Sequence, residues 1–242
     1  MVDVAAILSG GLATRLGHLT ESVPKALLKV AGKPFIDRQL ELLRRNGIRR
    51  VVLCLGYKGE QIERLVGDGK HWDLKVDYSY DGPELLGTAG ALRKARGLLG
   101  DLFWVLYGDS YLDFNYRAVA DQFDREGHGK LGLMTVFANH DRWDQSNVSF
   151  KNGRILKYDK TNPSPDMVFI DYGATILRRD ALDLMKSSPC DLAWLYRQLV
   201  DSNLLIGYEV TTRFYEIGSF AGLEDAARYF RELDLQNAPQ SL

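Results

Sequence analysis

A strongly apolar segment at the start of the chain runs directly into two adjacent glycines. Residues 4–8 read Val-Ala-Ala-Ile-Leu, and Gly10 and Gly11 follow after Ser9. Such an apolar run is typical of a buried strand, and a glycine pair at its end lets backbone N–H groups approach a ligand without obstruction by a side chain. The segment therefore predicts a buried first strand and a loop that holds a base or a phosphate group.

Two cations follow this loop. Arg15 lies four residues after Gly11, and Lys25 lies in a Pro-Lys-Ala-Leu segment. A guanidinium fork suits multidentate phosphate oxygens, whereas an ammonium group is a mobile point charge, so the pair predicts a triphosphate site. The loop lacks both the P-loop pattern and Gly-x-Gly-x-x-Gly, which disfavours a P-loop NTPase and an ordinary dinucleotide site. The alternative is a plain strand-to-helix turn with a solvated Arg and Lys.

The order of predicted elements favours an α/β fold. Strand-like and helix-like segments alternate through the first half, which is typical of a parallel sheet with helices on its faces. Strands follow one another in the second half, with a hairpin turn at Asn152-Gly153, which indicates mixed or antiparallel pairing. Strands are predicted at residues 4–8, 51–55, 76–80, 103–107, 131–137, 147–150, 155–158 and 169–177. Helices are predicted from Phe35 to the Asn46-Gly47 pair and at residues 59–66, 89–99, 181–185, 192–200 and 220–233.

Two carboxylates are candidates for binding Mg²⁺. Asp109 follows the fully apolar strand 103–107 by two residues, and α/β sheets bind their ligands at the carboxyl ends of such strands. Glu216 lies between an aromatic strand and a helix start. Magnesium takes one or two carboxylates together with substrate phosphates, so a protein need contribute little more. The alternatives are an Asp that caps a turn and a helix entry with Ser219 as its N-cap.

Other candidates lie in a second glycine turn and in the second half of the chain. Gly87 admits a flat ring, and Thr88 either caps a helix or donates a hydrogen bond to the ligand. Asp171 interrupts an apolar strand, which costs free energy unless a ligand or partner satisfies its carboxylate. Lys160 meets either a phosphate or, equally, a neighbouring carboxylate, and Asn147 is a weaker candidate for a sugar contact.

Composition excludes several classes of function. Lys and Arg total 31 and Asp and Glu total 32, so no global basic field exists to hold nucleic acid. Cys54 and Cys190 show no metal-type spacing with the 4 His, and both are expected to be reduced thiols. The N-terminus lacks a basic leader and no apolar run approaches a membrane span, so we expect a cytoplasmic protein without a membrane partner. The aromatic helix at residues 192–200 fits either a core or an interface, which leaves a monomer or a homodimer.

Taken together, these segments resemble the sugar-1-phosphate nucleotidylyltransferases. The matching segments, which span nearly the whole chain, are Gly10-Gly11-Leu12-Ala13-Thr14-Arg15-Leu16, Pro24-Lys25-Ala26-Leu27, Leu86-Gly87-Thr88-Ala89-Gly90, Gly108-Asp109, Asp159-Lys160, Tyr172-Gly173-Ala174 and Glu216-Ile217-Gly218. The resemblance implies a GT-A-like, Rossmann-like, mostly parallel mixed sheet flanked by helices, with a small inserted sugar-binding β lobe. It implies one domain over residues 1–242, with a nucleotide-binding half at 1–112 and a sugar-phosphate-binding half at 113–242.

The resemblance also implies roles for the candidates. Catalysis is assigned to Arg15, Lys25 and Asp109, and Mg²⁺ binding to Asp109 and Glu216. Binding of the nucleotide is assigned to Leu8, Ser9, Gly10, Gly11, Glu84, Gly87 and Thr88. Binding of the sugar phosphate is assigned to Asn147, Asp159, Lys160, Asp171 and Gly173.

The implied reaction transfers a nucleotidyl group from an NTP to a sugar 1-phosphate. The compact form resembles the heptose-1-phosphate and mannose-1-phosphate guanylyltransferases of cell-surface polysaccharide synthesis, and Glu84 is expected to accept from guanine N1–H and N2–H. GTP with D-glycero-D-manno-heptose 1-phosphate or mannose 1-phosphate is therefore favoured. The alternatives are a UTP-dependent enzyme for N-acetylmuramate or glucose 1-phosphate, and a non-catalytic sugar-nucleotide-binding regulatory protein.

Three positions depart from the family pattern. Ala13 replaces a glycine in the phosphate loop, Asp159 replaces a glutamate and Glu216 replaces an aspartate. Ala13 adds a methyl group to the phosphate loop, the Asp159 side chain is one methylene shorter than a glutamate, and the Glu216 side chain is one methylene longer than an aspartate. A shift in the geometry of the phosphate, sugar and metal sites is therefore expected.

Overall fold

The computed structural model describes residues 2–11 and 14–237 of the chain. Within these ranges thirteen strands and six α-helices follow one another, with short 3₁₀ turns between some of them. The strands are β1 Val4–Ser9, β2 Lys29–Val30, β3 Lys33–Pro34, β4 Arg50–Leu55, β5 Lys75–Tyr80, β6 Leu102–Tyr107, β7 Ser110–Tyr111, β8 Gly132–Ala138, β9 Val148–Lys151, β10 Arg154–Tyr158, β11 Phe169–Arg178, β12 Leu205–Glu209 and β13 Tyr215–Glu216. The helices are α1 Phe35–Arg45, α2 Gly59–Val66, α3 Gly87–Lys94, α4 Tyr116–Glu126, α5 Leu192–Asp201 and α6 Phe220–Asn237.

One mixed sheet organises the described residues. Its nine strands lie in the order β5-β4-β1-β6-β11-β8-β12-β10-β9. The first four are parallel to one another, β11 is antiparallel to both β6 and β8, and β12 is parallel to β8. Two small ribbons, β2 with β3 and β7 with β13, stand apart from this sheet.

Alternating side chains of the buried strands serve two separate cores. Ala5 and Ile7 of β1 belong to a cluster that includes α1, α2 and α4, whereas Ala6 and Leu8 belong to a cluster that includes α3 and α5. This division follows from the two-residue period of a strand, which sends successive side chains to opposite faces. Helix α6 packs mainly on α1 and the two ribbons through a third cluster that contains Phe35 and Phe230. The sheet is therefore covered by helices on both faces, and its strand ends remain free for a ligand.

Local sequence signals explain where the helices begin and end. Helix α1 ends in a Schellman motif, in which Gly47 at φ 85° donates to Arg44 O and Ile48 donates to Leu43 O. The Asn115 side chain accepts from Ala118 N and caps α4.

The predicted α/β fold with a mixed sheet is confirmed, with differences in detail. The second-half strands, predicted to form a small inserted β lobe, continue the first-half sheet through the β6–β11 pairing. Helix α4 and strand β12 were not predicted, helix α3 is shorter than expected, and the segment predicted as a helix at 181–185 is a 3₁₀ turn, Arg179–Leu184. Among the described residues, none of the helices combines the length and the apolar character that a membrane span requires.

Candidate active site

A cavity of about 330 Å³ opens at the carboxyl ends of β1, β4 and β6. These strands are parallel neighbours, so their ends meet at one edge of the sheet, where ligands bind in this class of fold. The cavity is lined by Leu8, Ser9, Gly10, Gly11, Pro24, Lys25, Ala26, Cys54, Ile62, Asp81, Leu85, Gly87, Thr88, Ala91, Tyr107, Gly108, Asp109 and Asp191. Both predicted glycine turns and two of the three predicted catalytic residues therefore border the same space.

The first glycine turn is packed against its neighbouring strand ends. A methyl group added at Gly108 would lie 1.9 Å from Ser9 Oγ, and one added at Gly56 would lie 2.6 Å from Gly10 O. Contacts this close leave no room for a side chain at Gly108 or Gly56. Ser9 Oγ is buried against Gly108, and no hydrogen-bond partner for it is present among the described residues.

Lys25 and Asp109 form an ion pair at one end of the cavity. The Lys25 ammonium lies 2.9 Å from Asp109 Oδ2, and both side chains are partly buried. Gln39 anchors the loop that carries Asp109. Its Nε2 donates to Tyr107 O at 2.9 Å and to Ser110 O at 2.8 Å. Gln39 was not predicted, since its place on the buried face of α1 carries no functional signal in the sequence.

Glu216 and Arg15 converge on the same place. Glu216 pairs with Ser110 across the β7–β13 ribbon, and Ile217 N donates to Asp109 O at 2.9 Å. A methyl group added at Gly218 would lie 3.5 Å from Arg15 Nη2, 3.5 Å from Glu216 Oε2 and 3.6 Å from Asp109 Oδ2. The structure thus gathers both cations and both carboxylates that the sequence singled out. Ala13, the departure from the family pattern in this loop, lies outside the described residues.

The charges around Glu216 oppose its ionisation. Burial, followed by the negative charges of Asp109 and Asp144, raises the pKa of Glu216 above its ordinary value, and the positive charges of Arg15 and Lys25 offset this only in part. Two facing carboxylates beside bound phosphates suit a divalent cation. Across residues 2–11 and 14–237, no cluster of three or more His, Cys, Asp or Glu side chains forms a metal site by itself.

The second glycine turn joins the two halves of the chain. Gly87 has φ 73°, and a methyl group there would lie 2.6 Å from Cys190 O. The same oxygen accepts from Ala89 N and Gly90 N. Thr88 Oγ1 accepts from Leu192 N at 2.7 Å, so this hydroxyl satisfies the start of α5 rather than that of its own helix. The turn therefore forms a rigid wall of the cavity.

Glu84 is not brought into the cavity. Its side chain is exposed and does not line the cavity wall. Asp81 lies there instead, 8% exposed, with Oδ2 3.4 Å from Leu86 N, and burial raises the pKa of its carboxyl. Asp81 directly follows a predicted strand, the same signal that singled out Asp109, so the sequence contained the indication.

The predicted sugar-phosphate residues lie on the far side of Tyr107. The Lys160 ammonium is 5.2 Å from the centre of the Tyr107 ring and 3.3 Å from Asp171 Oδ2. Gly173, at φ 97° in an irregular stretch of β11, would place an added methyl 3.5 Å from the same ring. Tyr107 therefore borders both the cavity and the Lys160–Asp171 pair.

Asn147 and Asp159 are already engaged with the protein. Asn147 is buried and its Oδ1 accepts from Asp171 N at 2.9 Å, so it positions the Asp171 backbone. Asp159 Oδ1 accepts from Thr161 N and Asn162 N, and it also pairs with Arg197 at 3.2 Å. Neither residue lines the cavity.

Comparison with known proteins finds matches to nucleotidyltransferases. A family model described as Nucleotidyl transferase matches residues 4–146. Mannose-1-phosphate guanylyltransferase catalytic subunit beta of Drosophila melanogaster is 31% identical over 220 residues, which cover 88% of this chain and 59% of that protein. UTP--glucose-1-phosphate uridylyltransferase of Synechocystis sp. is 28% identical over 217 residues, which cover 83% of this chain and 56% of that protein. The chain thus spans about half the length of the curated relatives that it matches.

Solved structures share the fold. The inositol-1-phosphate CTP transferase from T. maritima matches with a TM-score of 0.78 at 18% identity, covering 96% of this chain and 97% of that chain. The likeness extends over nearly the whole chain, including the second-half strands that continue the sheet.

Proposed function

Because the chain belongs to the nucleotidyl transferase family, we propose that it transfers a nucleotidyl group from a nucleoside triphosphate to a sugar 1-phosphate and releases pyrophosphate. The observation that carries this proposal is the convergence of Arg15, Lys25, Asp109 and Glu216 at the end of a cavity lined by two glycine turns. Cations and carboxylates in this arrangement suit a reaction in which negative charge moves between phosphate groups.

The reaction needs positioning and charge neutralisation rather than a general base. A phosphate monoester has a second pKa of about 6, so a sugar 1-phosphate is largely dianionic at neutral pH. One of its oxygens therefore attacks the α-phosphorus directly. Pyrophosphate leaves on the opposite side as the P–O bond to the α-phosphorus breaks. Lys25 and Arg15 stabilise the charge that develops on this leaving group.

Asp109 and Glu216 fit the requirements of Mg²⁺. Their carboxylates face a common space at Gly218, where burial and then the negative charge of Asp109 raise the pKa of Glu216, so a divalent cation there would favour its ionised form. A bound Mg²⁺ supplies charge neutralisation to phosphate oxygens. The contribution of the chain is to hold the two carboxylates apart by strand pairing while Lys25 keeps Asp109 oriented.

Asp81 is the residue on which a preference for GTP rests. Guanine presents adjacent N1–H and N2–H donors, and a carboxylate offers two acceptor oxygens that match them. Asp81 lies buried in the cavity wall, whereas the exposed Glu84 does not reach it. The curated relatives include both a guanylyltransferase and a uridylyltransferase, so the carboxylate of Asp81 is the local feature that favours guanine here.

Lys160 and Asp171 are proposed to receive the sugar 1-phosphate. Lys160 is 38% exposed along its side chain, whereas that of Asp171 is 1% exposed, so the ammonium is free to turn toward a phosphate while the carboxylate stays fixed. Lys160 lies beside Tyr107, which lines the nucleotide cavity. A phosphate bound by Lys160 would therefore lie next to that cavity. Mannose 1-phosphate and a heptose 1-phosphate are the first sugars to test.

A pyrophosphate-release assay tests this function. Purified protein is incubated with Mg²⁺, each of the four ribonucleoside triphosphates and a panel of mannose, heptose, glucose and N-acetylmuramate 1-phosphates. Release with GTP and one sugar is expected, and Asp81→Asn should lower the preference for GTP over UTP by about 10-fold or more, because a charged acceptor is lost. Nucleotide binding without release for any pair would instead support a non-catalytic regulatory protein.

A further inference from the structure

Asp191 is a charged residue in the cavity wall that the proposed reaction leaves unexplained. It lies immediately before α5, in the segment that is hydrogen-bonded to the second glycine turn. Asp191 is an exposed residue that lines the cavity together with Thr88 and Tyr107. As the residue directly before a predicted helix, Asp191 carries only the weak sequence signal of an ordinary helix start.

The protein itself satisfies this carboxylate only partly. Thr88 N and Thr88 Oγ1 approach Asp191 Oδ1 at 3.4 and 3.3 Å, which are long hydrogen bonds. Within the part of the chain that the structure describes, no Lys, Arg or His lies within ion-pair distance of Asp191. The helix N-cap function does not account for the side chain either, since no cap hydrogen bond is formed. A second oxygen, Oδ2, is left for a ligand.

The position of Asp191 indicates which part of a substrate it meets. The two cations, Lys25 and Arg15, lie beside Asp109 and Gly218 and not within ion-pair distance of Asp191. Asp191, in contrast, lies beside Thr88 and close enough to Tyr107 to help raise the pKa of that phenol, after burial and the charges of Asp171 and Asp109. Tyr107 in turn borders Lys160. Asp191 therefore stands where the nucleotide cavity meets the sugar-phosphate residues.

A carboxylate at this border repels phosphate groups and attracts hydroxyl groups. Substrate hydroxyls are good donors to an ionised carboxylate, and such charge-assisted bonds are among the stronger ones in proteins. Both substrates of the proposed reaction carry suitable hydroxyls, on the ribose and on the sugar ring.

We propose that Asp191 is a specificity-determining residue whose carboxylate accepts hydrogen bonds from hydroxyl groups of a bound substrate, either the ribose of the nucleotide or the ring of the sugar 1-phosphate. This inference rests on the proposed function for the identity of the ligands. It adds to that function a reason why substrates that lack a hydroxyl at this border are rejected.

Direct binding separates the two sources. Isothermal titration calorimetry is performed with wild-type protein, Asp191→Asn and the control Asp201→Asn, which alters an exposed carboxylate at the other end of the same helix. One series compares GTP with 2′-deoxy-GTP and 3′-deoxy-GTP. The other compares mannose 1-phosphate with its 2-deoxy, 3-deoxy and 4-deoxy analogues. Asparagine is as good at a helix start as aspartate, so the variant is expected to fold, which thermal unfolding checks.

The wild type should discriminate against the deoxy analogues of one series, and Asp191→Asn should reduce that discrimination by about 10-fold or more while Asp201→Asn retains it. Loss in the GTP series assigns the ribose, and loss in the mannose series assigns the sugar ring. Unchanged discrimination in Asp191→Asn, or an equal loss of affinity for hydroxyl and deoxy ligands, would overturn the inference. Binding without pyrophosphate release overturns the proposed reaction alone, whereas absence of binding overturns both.

Discussion

Replacing Gly218 with alanine tests the geometry of the proposed reaction centre at one point. The added methyl would lie 3.5 Å from Arg15 Nη2, 3.5 Å from Glu216 Oε2 and 3.6 Å from Asp109 Oδ2, all ordinary van der Waals distances. The backbone at Gly218 is not in the left-handed region, so alanine adopts it without strain. The folded protein therefore accepts this methyl, but the space between the cations and the carboxylates becomes smaller.

The expected effects on stability and on activity differ. The free energy of unfolding should change by less than about 1 kcal/mol, because no contact is forced and alanine restricts the unfolded chain. A displacement of reacting groups by about 1 Å is enough to cost roughly 100-fold in rate, or about 2.7 kcal/mol of transition-state stabilisation. We therefore expect kcat/KM for pyrophosphate release to fall by about 100-fold in Gly218→Ala, with a nearly unchanged thermal midpoint.

Gly97→Ala is the matched control. A methyl group there meets nothing within 4 Å, and Gly97 lies away from the cavity. Both variants are assayed for pyrophosphate release and for unfolding by urea. Turnover of Gly218→Ala within about 3-fold of the wild type, well short of the expected change, would refute the idea that reacting phosphates occupy this space. Failure of Gly218→Ala to fold would refute the distances themselves.

Three further predictions concern the ion pair, the facing carboxylates and the second glycine turn. Lys25→Ala and Asp109→Ala should each lower kcat/KM for pyrophosphate release by at least about 100-fold, or 2.7 kcal/mol, and near-normal turnover in either contradicts its assignment. Because the pKa of Glu216 is raised above 4.5 in the folded chain, its ionisation destabilises the fold as pH rises from that value. Metal-free Glu216→Gln should therefore be more stable than the wild type in urea at pH 7 and lose this advantage as pH falls below about 4.5, toward the range in which both folded and unfolded wild type hold the proton. Gly87→Ala should lower the free energy of unfolding by about 2–4 kcal/mol, because a positive φ and a contact at 2.6 Å act together, whereas Gly47→Ala, at the left-handed C′ position of α1 with open space, should cost only about 1–2 kcal/mol. Equal costs at the two glycines in urea titrations would show that the contact at Gly87 relaxes.

Much of the fold was readable because its signals are local. The apolar run before Gly10, the Asn46-Gly47 helix end and the Asn152-Gly153 turn each depend on a few consecutive residues, and each appears as predicted. Helix α4 was overlooked although Asn115 caps it and Val119 and Phe123 face the core. The signal for this helix is therefore as local as the others.

The two halves are joined into one sheet by the pairing of two strands that lie far apart in the chain. Strand β11 pairs with β6, which lies more than sixty positions earlier in the chain, and alternation of side chains does not specify which strand becomes a neighbour. The same alternation of side chains is therefore expected whether the two halves form separate lobes or one continuous sheet. The β6–β11 pairing in the folded chain decides between them.

By itself, the sequence determined the α/β class, the two glycine turns and the charged residues Arg15, Lys25, Asp109 and Glu216 that the structure gathers. Residue type and position relative to a strand end are sufficient for that, because parallel strands bring their ends to one edge. Only the tertiary structure decided that Asp81 rather than Glu84 faces the cavity and that Asp191 completes its wall. Burial of Asp81 depends on Gly10, from a distant part of the chain, lying beside its carboxylate, and the contact of Asp191 with Thr88 depends on the pairing of residues 190–192 with the turn at 86–90.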